Sequence, residues 1–368
     1  MINSNSGTGY DRLKRLAKER NCRVKDLLVL SNQNDAFYIG TKTQKKQGEW
    51  FAELWNRFGY ETGVHLRRIH YQAVSDEVVK PDGKRYENTI EDWALLNASG
   101  RFARYLSFVD PLAFVDKRNP EPHIFFDYEN ENNNVNWTVS GSFYNEWDIP
   151  EINTDLTYYA DWEFPWFSIN GYQYTENLQP YHIEIWEEKS TMDDVLIPLC
   201  RKYCVNLVTG LGYLSITRVM ELFERVARSG KPTIIFYISD FDPAGIHMPK
   251  QIARQIEFWT SEHKIDSEIK LNPLVLTKEQ VVEYKLPRVP IKESDKRKQN
   301  FEDIFGEGAV ELDALEALHR GTLKNIVEKA INEYRDEDLA NELNSARKEA
   351  HEKLQLIWDG IKQKYQAQ

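Results

Sequence analysis

Apolar and polar positions change their spacing several times along the chain, and each change marks a boundary. From Tyr10 to Val29 the pattern opens as an amphipathic helix, with Leu13, Leu16 and Ala17 at helical spacing among Arg12, Lys14, Arg15 and Lys18. The polar run Ser31-Asn32-Gln33-Asn34-Asp35 interrupts it. A second helix is predicted from Gln47 to Phe58, with Trp50, Phe51, Leu54, Trp55 and Phe58 on one face, and a third from Val64 to Val74. The turn Pro81-Asp82-Gly83 follows, then a helix from Ile90 to Leu106 that carries Arg101 and Arg104. Three short helices and a Gly-containing turn suit a winged helix-turn-helix, a pattern that a plain helical cluster shares.

Between Pro111 and Pro180 the spacing becomes strand-like around a polar turn, Glu129 to Asn134. Trp137, Phe143, Trp147, Tyr158, Tyr159, Trp162, Trp166 and Phe167 crowd this region. Without basic neighbours they read as a packing layer rather than a base-stacking platform. From Tyr181 strands and helices alternate. The strand His182 to Trp186 precedes a helix, Met192 to Tyr203, then the strand Asn206 to Thr209 and the turn Gly210-Leu211-Gly212-Tyr213. Ile216 to Arg228 reads as helix, Thr233 to Ile238 as a buried strand, Ile246 to Phe258 as helix and Ile269 to Leu276 as strand. Such alternation with short links predicts an α/β fold with a parallel, Rossmann-like sheet. After Tyr284 the chain turns basic (Lys285, Arg288, Lys292, Lys296, Arg297, Lys298), and carboxyl-terminal helices run from Glu311 to about Tyr365.

The 368 residues are 41% hydrophobic and carry a net charge of −11, which is awkward for a nucleic-acid binder until its distribution is considered. Residues 1–72 hold thirteen Lys or Arg against seven Asp or Glu, whereas Asn119 to Glu188 holds fourteen acids and no Lys or Arg. The amino-terminal portion could therefore meet a polyanion, or simply present solvated helix faces. Three cysteines make no disulfide framework, and no apolar run is long enough to span a membrane. With its polar start, Met1 to Gly9, the chain is expected to be cytoplasmic.

The candidate chemistry lies at strand ends. Asp240 and Asp242 follow the Thr233–Ile238 strand, where alternate residues share a face, and Glu188 follows the His182–Trp186 strand. Hard carboxylates without Cys or His suit Mg²⁺ or Mn²⁺, and a Glu beside two such aspartates suits phosphodiester chemistry. An acidic turn capping a helix would account for Asp240 and Asp242 equally well. Lys189 is placed to contact phosphate or to lie on the surface, and Glu311 and Asp313 are further acids at a helix start.

Glu188-Lys189, Thr209-Gly210-Leu211-Gly212-Tyr213 and Asp240-Phe241-Asp242-Pro243-Ala244-Gly245-Ile246 occur in that order. Together they resemble the Toprim domain, in the variant found in the A subunit of type IIB topoisomerases (topoisomerase VI) and the related meiotic double-strand-break transesterases. Arg67-Arg68-Ile69-His70-Tyr71 is similar to that family's R-D-x-Y-Y motif, with Arg68 in place of the Asp and His70 in place of the first Tyr. The resemblance implies a winged-helix DNA-binding domain over residues 1–110, an acidic aromatic linker over 111–180, a Toprim domain over 181–285, and a basic linker with helices over 286–368. It implies a homodimer that cleaves DNA with Mg²⁺ or Mn²⁺ held by Glu188, Asp240 and Asp242, Glu188 doubling as acid/base. Tyr71 would be the nucleophile, Arg67 a phosphate contact, and a separate ATPase subunit the partner for strand passage. A hydrolytic Toprim endonuclease of bacterial defence, with water as nucleophile, and a non-catalytic DNA-binding scaffold are the alternatives.

Overall fold

The computed structural model describes residues 7–128, 135–140, 165–210 and 215–366. Phe143, Trp147, Tyr158, Tyr159 and Trp162, the Glu129–Asn134 turn and most of the Gly210–Tyr213 turn lie outside the described residues. The chain is mixed α/β and forms two compact units, one from Met1–Asp127 with Tyr181–Tyr334, the other from Tyr128–Pro180 with Arg335–Gln368.

The first unit begins with α1 (Gly9–Glu19), capped by Thr8 and burying Leu13 and Ala17. Next come α2 (Lys42–Arg57), α3 (Leu66–Ser75) and α4 (Ile90–Tyr105). Phe51, Leu54, Trp55, Ile69, Ala73 and Leu96 form one apolar core for these three helices. The expected turn at Pro81-Asp82-Gly83 is closed by an antiparallel bridge between Val79 and Arg85. One expectation changes: α1 does not share the α2–α4 core. Its Arg12 side chain reaches Ser261 and Glu262 instead. The polar break explains this, because the buried Asp35 carboxylate accepts the Arg254 guanidinium at 3.1 Å and three backbone N–H groups, from Val29, Leu30 and Phe37. Those bonds tie the loop after α1 to the helix Pro243–His263, which Arg12 also reaches.

In the second unit, β1 (Asn136–Ser140) and β2 (Trp166–Asn170) pair antiparallel, Trp137 opposite Ile169. Phe167 there packs on His351 and Trp358 of the carboxyl-terminal helix (Leu339–Gln366), and Arg335 pairs with Glu176 at 2.8 Å.

Four parallel strands centre the first unit: β3 (His182–Glu187), β4 (Asn206–Thr209), β5 (Thr233–Ile238) and β6 (Ile269–Val275), in the order β4-β3-β5-β6. Helices α5 (Asp193–Tyr203), α6 (Ile216–Ser229) and α7 (Pro243–His263) connect them in turn. Alternation sends Ile183, Ile185, Ile234 and Phe236 to one face, with Leu196 and Leu199 of α5. Trp186, Ile235 and Tyr237 go to the other, against Val219 and Leu222 of α6 and Ile252 of α7. After β6 come α8 (Lys278–Glu283), α9 (Lys298–Phe305), α10 (Leu312–Leu318), α11 (Thr322–Asn332) and α12, the carboxyl-terminal helix already placed in the second unit. No described helix is long and apolar enough to cross a membrane.

The chain leaves β3 toward β4 on one side, while β5 pairs on its other side. The carboxyl ends of β3 and β5 therefore flank a topological switch point, where an open sheet leaves a crevice. Beneath that crevice a buried polar network fixes β3. Glu184 accepts both the Arg225 guanidinium (2.5 and 3.0 Å) and the Trp186 indole N–H (2.7 Å), with His182 at 2.9 Å. Burial alone would raise the Glu184 carboxyl; Arg225 and His182 overcome it, so it titrates well below the usual range. Glu184→Gln, which strands the Arg225 charge, should cost about 3–5 kcal/mol in a denaturant melt. Because the folded carboxyl is depressed, its contribution is complete above the unfolded value of about 4.3 and fades as pH falls below it. The acid limb of the stability–pH curve should accordingly be flatter in the variant.

Candidate active site

Glu188 directly continues β3, its N–H donating to the Ile238 carbonyl at 3.0 Å, so it sits beside the end of β5. Asp240 stands two residues beyond β5 and is 3% exposed. Asp242 is the N-cap of α7, its Oδ1 accepting the Gly245 N–H at 2.6 Å, with Pro243 at the first helical position. The helix therefore starts three residues before the predicted Ile246, because cap and proline already form its first turn. The capping reading of Asp242 holds alongside its place in the acidic group. Gly245 is obligatory here: a Cβ would lie 2.1 Å from the Asp240 carbonyl oxygen.

A distant segment completes the floor. Phe241 and Val310 exchange backbone hydrogen bonds (2.9 and 3.0 Å), and Ala309 and Val289 do the same at 2.8 Å. Gly308 permits the second contact, since a Cβ would meet the Val289 carbonyl at 2.9 Å on a backbone with φ of +81°. This pairing sets Glu311 beside Asp240, whose Oδ1 accepts the Leu312 N–H at 2.8 Å. Lys189 bridges the two acids, its ammonium touching Asp240 Oδ2 and lying 2.7 Å from Glu311 Oε2.

Of the four carboxylates here, Asp240 and Glu311 share the Lys189 ammonium. Burial, then the Asp240 and Asp242 charges, push Glu188 up to about 7. Burial also raises Asp240 against the pull of Lys189, whereas the more exposed Glu311 is held low by the same ammonium. Glu188 Oε2 is buried without a hydrogen-bond partner.

These acids line a cleft of about 980 Å³. Lys292, Lys296 and Arg297, from the segment that follows β6 and α8, line it too; Arg297 is paired with Asp295 at 2.9 Å. His247, on the second turn of α7, also lines it, its imidazole pKa lowered by burial and by Arg297 and Lys250. Ser31 and Asn34 of the amino-terminal break close one end.

Sequence reasoning placed Glu188, Asp240 and Asp242 at one site, and the chain brings them together. His247, Ser31 and Asn34 are outside that set; in the sequence His247 is only a polar position five residues after the Asp242 cap. Asp313 instead accepts the Thr191 hydroxyl and does not line the cleft. Arg67 and Tyr71 are exposed on α3, one turn apart, and neither lines the cleft. Next to Tyr71, His70 is buried, with Nδ1 at 2.7 Å from the Tyr86 hydroxyl and Nε2 at 3.1 Å from Asn88.

No model of a known protein family matches this chain, and comparison with curated proteins likewise finds no match. Its chemistry must be argued from its own side chains. An all-oxygen donor set with an unpartnered buried carboxylate oxygen fits a hard divalent cation. As arranged, no group of three His, Cys, Asp or Glu side chains among the described residues is set to hold a metal ion. The cation that links Asp240 and Glu311 is the Lys189 ammonium.

Gly245→Ala tests the construction of this floor. The added methyl collides with backbone rather than with a yielding side chain, so overpacking should outweigh the gain in helix propensity and cost at least about 1–3 kcal/mol. A thermal melt beside the wild type checks it.

Proposed function

We propose that the protein is a metal-dependent DNA-cleaving enzyme, with a Toprim-like acidic cluster as its active site and the α2–α4 cluster as a winged-helix-like DNA-binding domain. The observation that carries this reading is the meeting of Glu188, Asp240 and Asp242 at the switch point of a parallel sheet, in a cleft that Lys292, Lys296 and Arg297 also line. Asp240, Asp242 and Glu188 would hold the Mg²⁺ or Mn²⁺. A bound ion of this kind neutralises charge on phosphate oxygens and stabilises the departing oxygen. The lysine and arginine side chains that line the same cleft suit the neighbouring phosphates of a strand. Glu188, titrating near neutrality, is suited to carry a proton during the reaction. In the transesterase form Tyr71 attacks the phosphate and Arg67, one turn before it, holds a phosphate oxygen. Since Tyr71 does not line the cleft of its own chain, this form uses a homodimer in which each tyrosine serves the partner's acids. Strand passage would further require a separate ATPase subunit.

A second reading, hydrolysis by water, is favoured by one observation: among the described residues no group hydrogen-bonds the Tyr71 hydroxyl, and its neighbour His70 is committed to Tyr86 and Asn88. Denaturant trapping on supercoiled DNA with Mn²⁺ separates the two. Transesterification yields a covalent protein–DNA adduct that disappears in Tyr71→Phe; Asp240→Asn should abolish cleavage in either case. Full cleavage by Tyr71→Phe would assign the attack to water, and full cleavage by Asp240→Asn would sink both readings.

The internal ammonium makes its own prediction. Lys189→Met leaves the acids without their counter-ion, so Mn²⁺ should bind at least about tenfold more tightly by calorimetry. The metal-free variant should also melt below the wild type. Unchanged affinity would show that Lys189 and the metal do not compete.

A further inference from the structure

A second cavity, of about 230 Å³, lies where α4, α6 and α7 meet the Ser31–Asp35 loop. By volume it has room for roughly seven water molecules. Arg101 and Arg104 line it from α4, Gln255 from α7, and Ser215 and Ile216 from the amino terminus of α6. Among the described residues neither arginine has a carboxylate within ion-pair distance. Arg104 is 5% exposed and donates to the Pro111 carbonyl and the Thr217 hydroxyl. Arg101 Nε is buried and has no hydrogen-bond partner. The acids nearest Arg104 are already engaged: Asp116 accepts from Ser215 and Asn119, and Asp110 accepts the Leu112 N–H.

Two shielded guanidinium groups without anions are costly in a folded chain. Two further features aim positive potential at the same space. The α6 helix, capped by Ser215, directs its first free N–H groups and the positive end of its dipole there. Gln255 is only 4% exposed, and its Oε1 is buried without a partner. The N–H pair of that amide can donate to an anion in the cavity.

We propose that this cavity binds a phosphate group, held by Arg101, Arg104, Gln255 and the amino terminus of α6. The group comes either from a free phosphate ion or from the backbone of a polynucleotide. The site differs from the acidic cleft in charge and does not depend on the reading of that cleft as a nuclease. Asn34 is common to the walls of both.

Thermal melts of the full chain in inorganic phosphate, against chloride of matched ionic strength, test it, with a short unphosphorylated oligodeoxynucleotide as a second ligand. Wild type should melt several degrees higher with one or both. A response to phosphate identifies the free ion, and a response to the oligonucleotide alone identifies the backbone. Arg101→Gln should lose that response, with affinity by calorimetry reduced at least about tenfold, while Arg101→Lys keeps part of it. In chloride alone Arg101→Gln should be at least as stable as wild type, because an uncompensated charge has gone. Asp240→Asn should respond like wild type, which separates this site from the cleft. The proposal falls if neither ligand stabilises the wild type, if Arg101→Gln responds equally, or if that variant melts lower than wild type in chloride, which would make Arg101 a structural prop.

Discussion

The backbone pairing of Phe241 with Val310 is the constraint on which the cleft depends. Without it, the ends of β3 and β5 would present three acids to open water, and Glu311 and the basic segment would belong to an unrelated part of the surface. Two hydrogen bonds there, and two more between Ala309 and Val289, draw an acid and three cations from residues 289–311 against a strand end near residue 240. The cleft is thus assembled by sheet-like pairing added to the sheet's end, beyond its four strands. Gly308 and Gly245 occupy the two points where backbones approach too closely for any side chain.

Within this frame, electrostatics decides what each acid can do. Asp240 is the most buried and the most occupied, between a backbone N–H and an ammonium. Glu188 is pushed up to about 7 by burial and by the Asp240 and Asp242 charges. Glu184, four residues earlier on the same strand, has the opposite fate, because Arg225 and His182 reach it from within the core. Carboxylates four residues apart are thereby given opposite pKa shifts, lowered under the crevice and raised at its edge.

Local order was legible where the periodicity was strong. The Asn206–Thr209 and Thr233–Ile238 strands appear with the expected bounds, since β-branched runs between polar breaks have no competing reading. Helix α7 starts before Ile246, where its apolar periodicity begins, because a capping Asp followed by Pro is itself a helix start. The place of α1 was hidden, since its amphipathic face says that it packs and not against what. The Lys189 bridge to Glu311 was equally hidden: its partners are 122 positions apart, joined by a pairing that leaves no mark in either segment.

Helix α7 joins features that have so far been treated separately. Its cap, Asp242, belongs to the acidic floor; Gln255 faces the arginine cavity; and Arg254, one residue before it, grips Asp35 and so holds the loop that walls both spaces. These points span about 20 Å along one helix, with Pro249 between them. The loop that walls both spaces and one side chain of each site are therefore hung on a single helix, so a substitution that shifts α7 would disturb cleft and cavity alike.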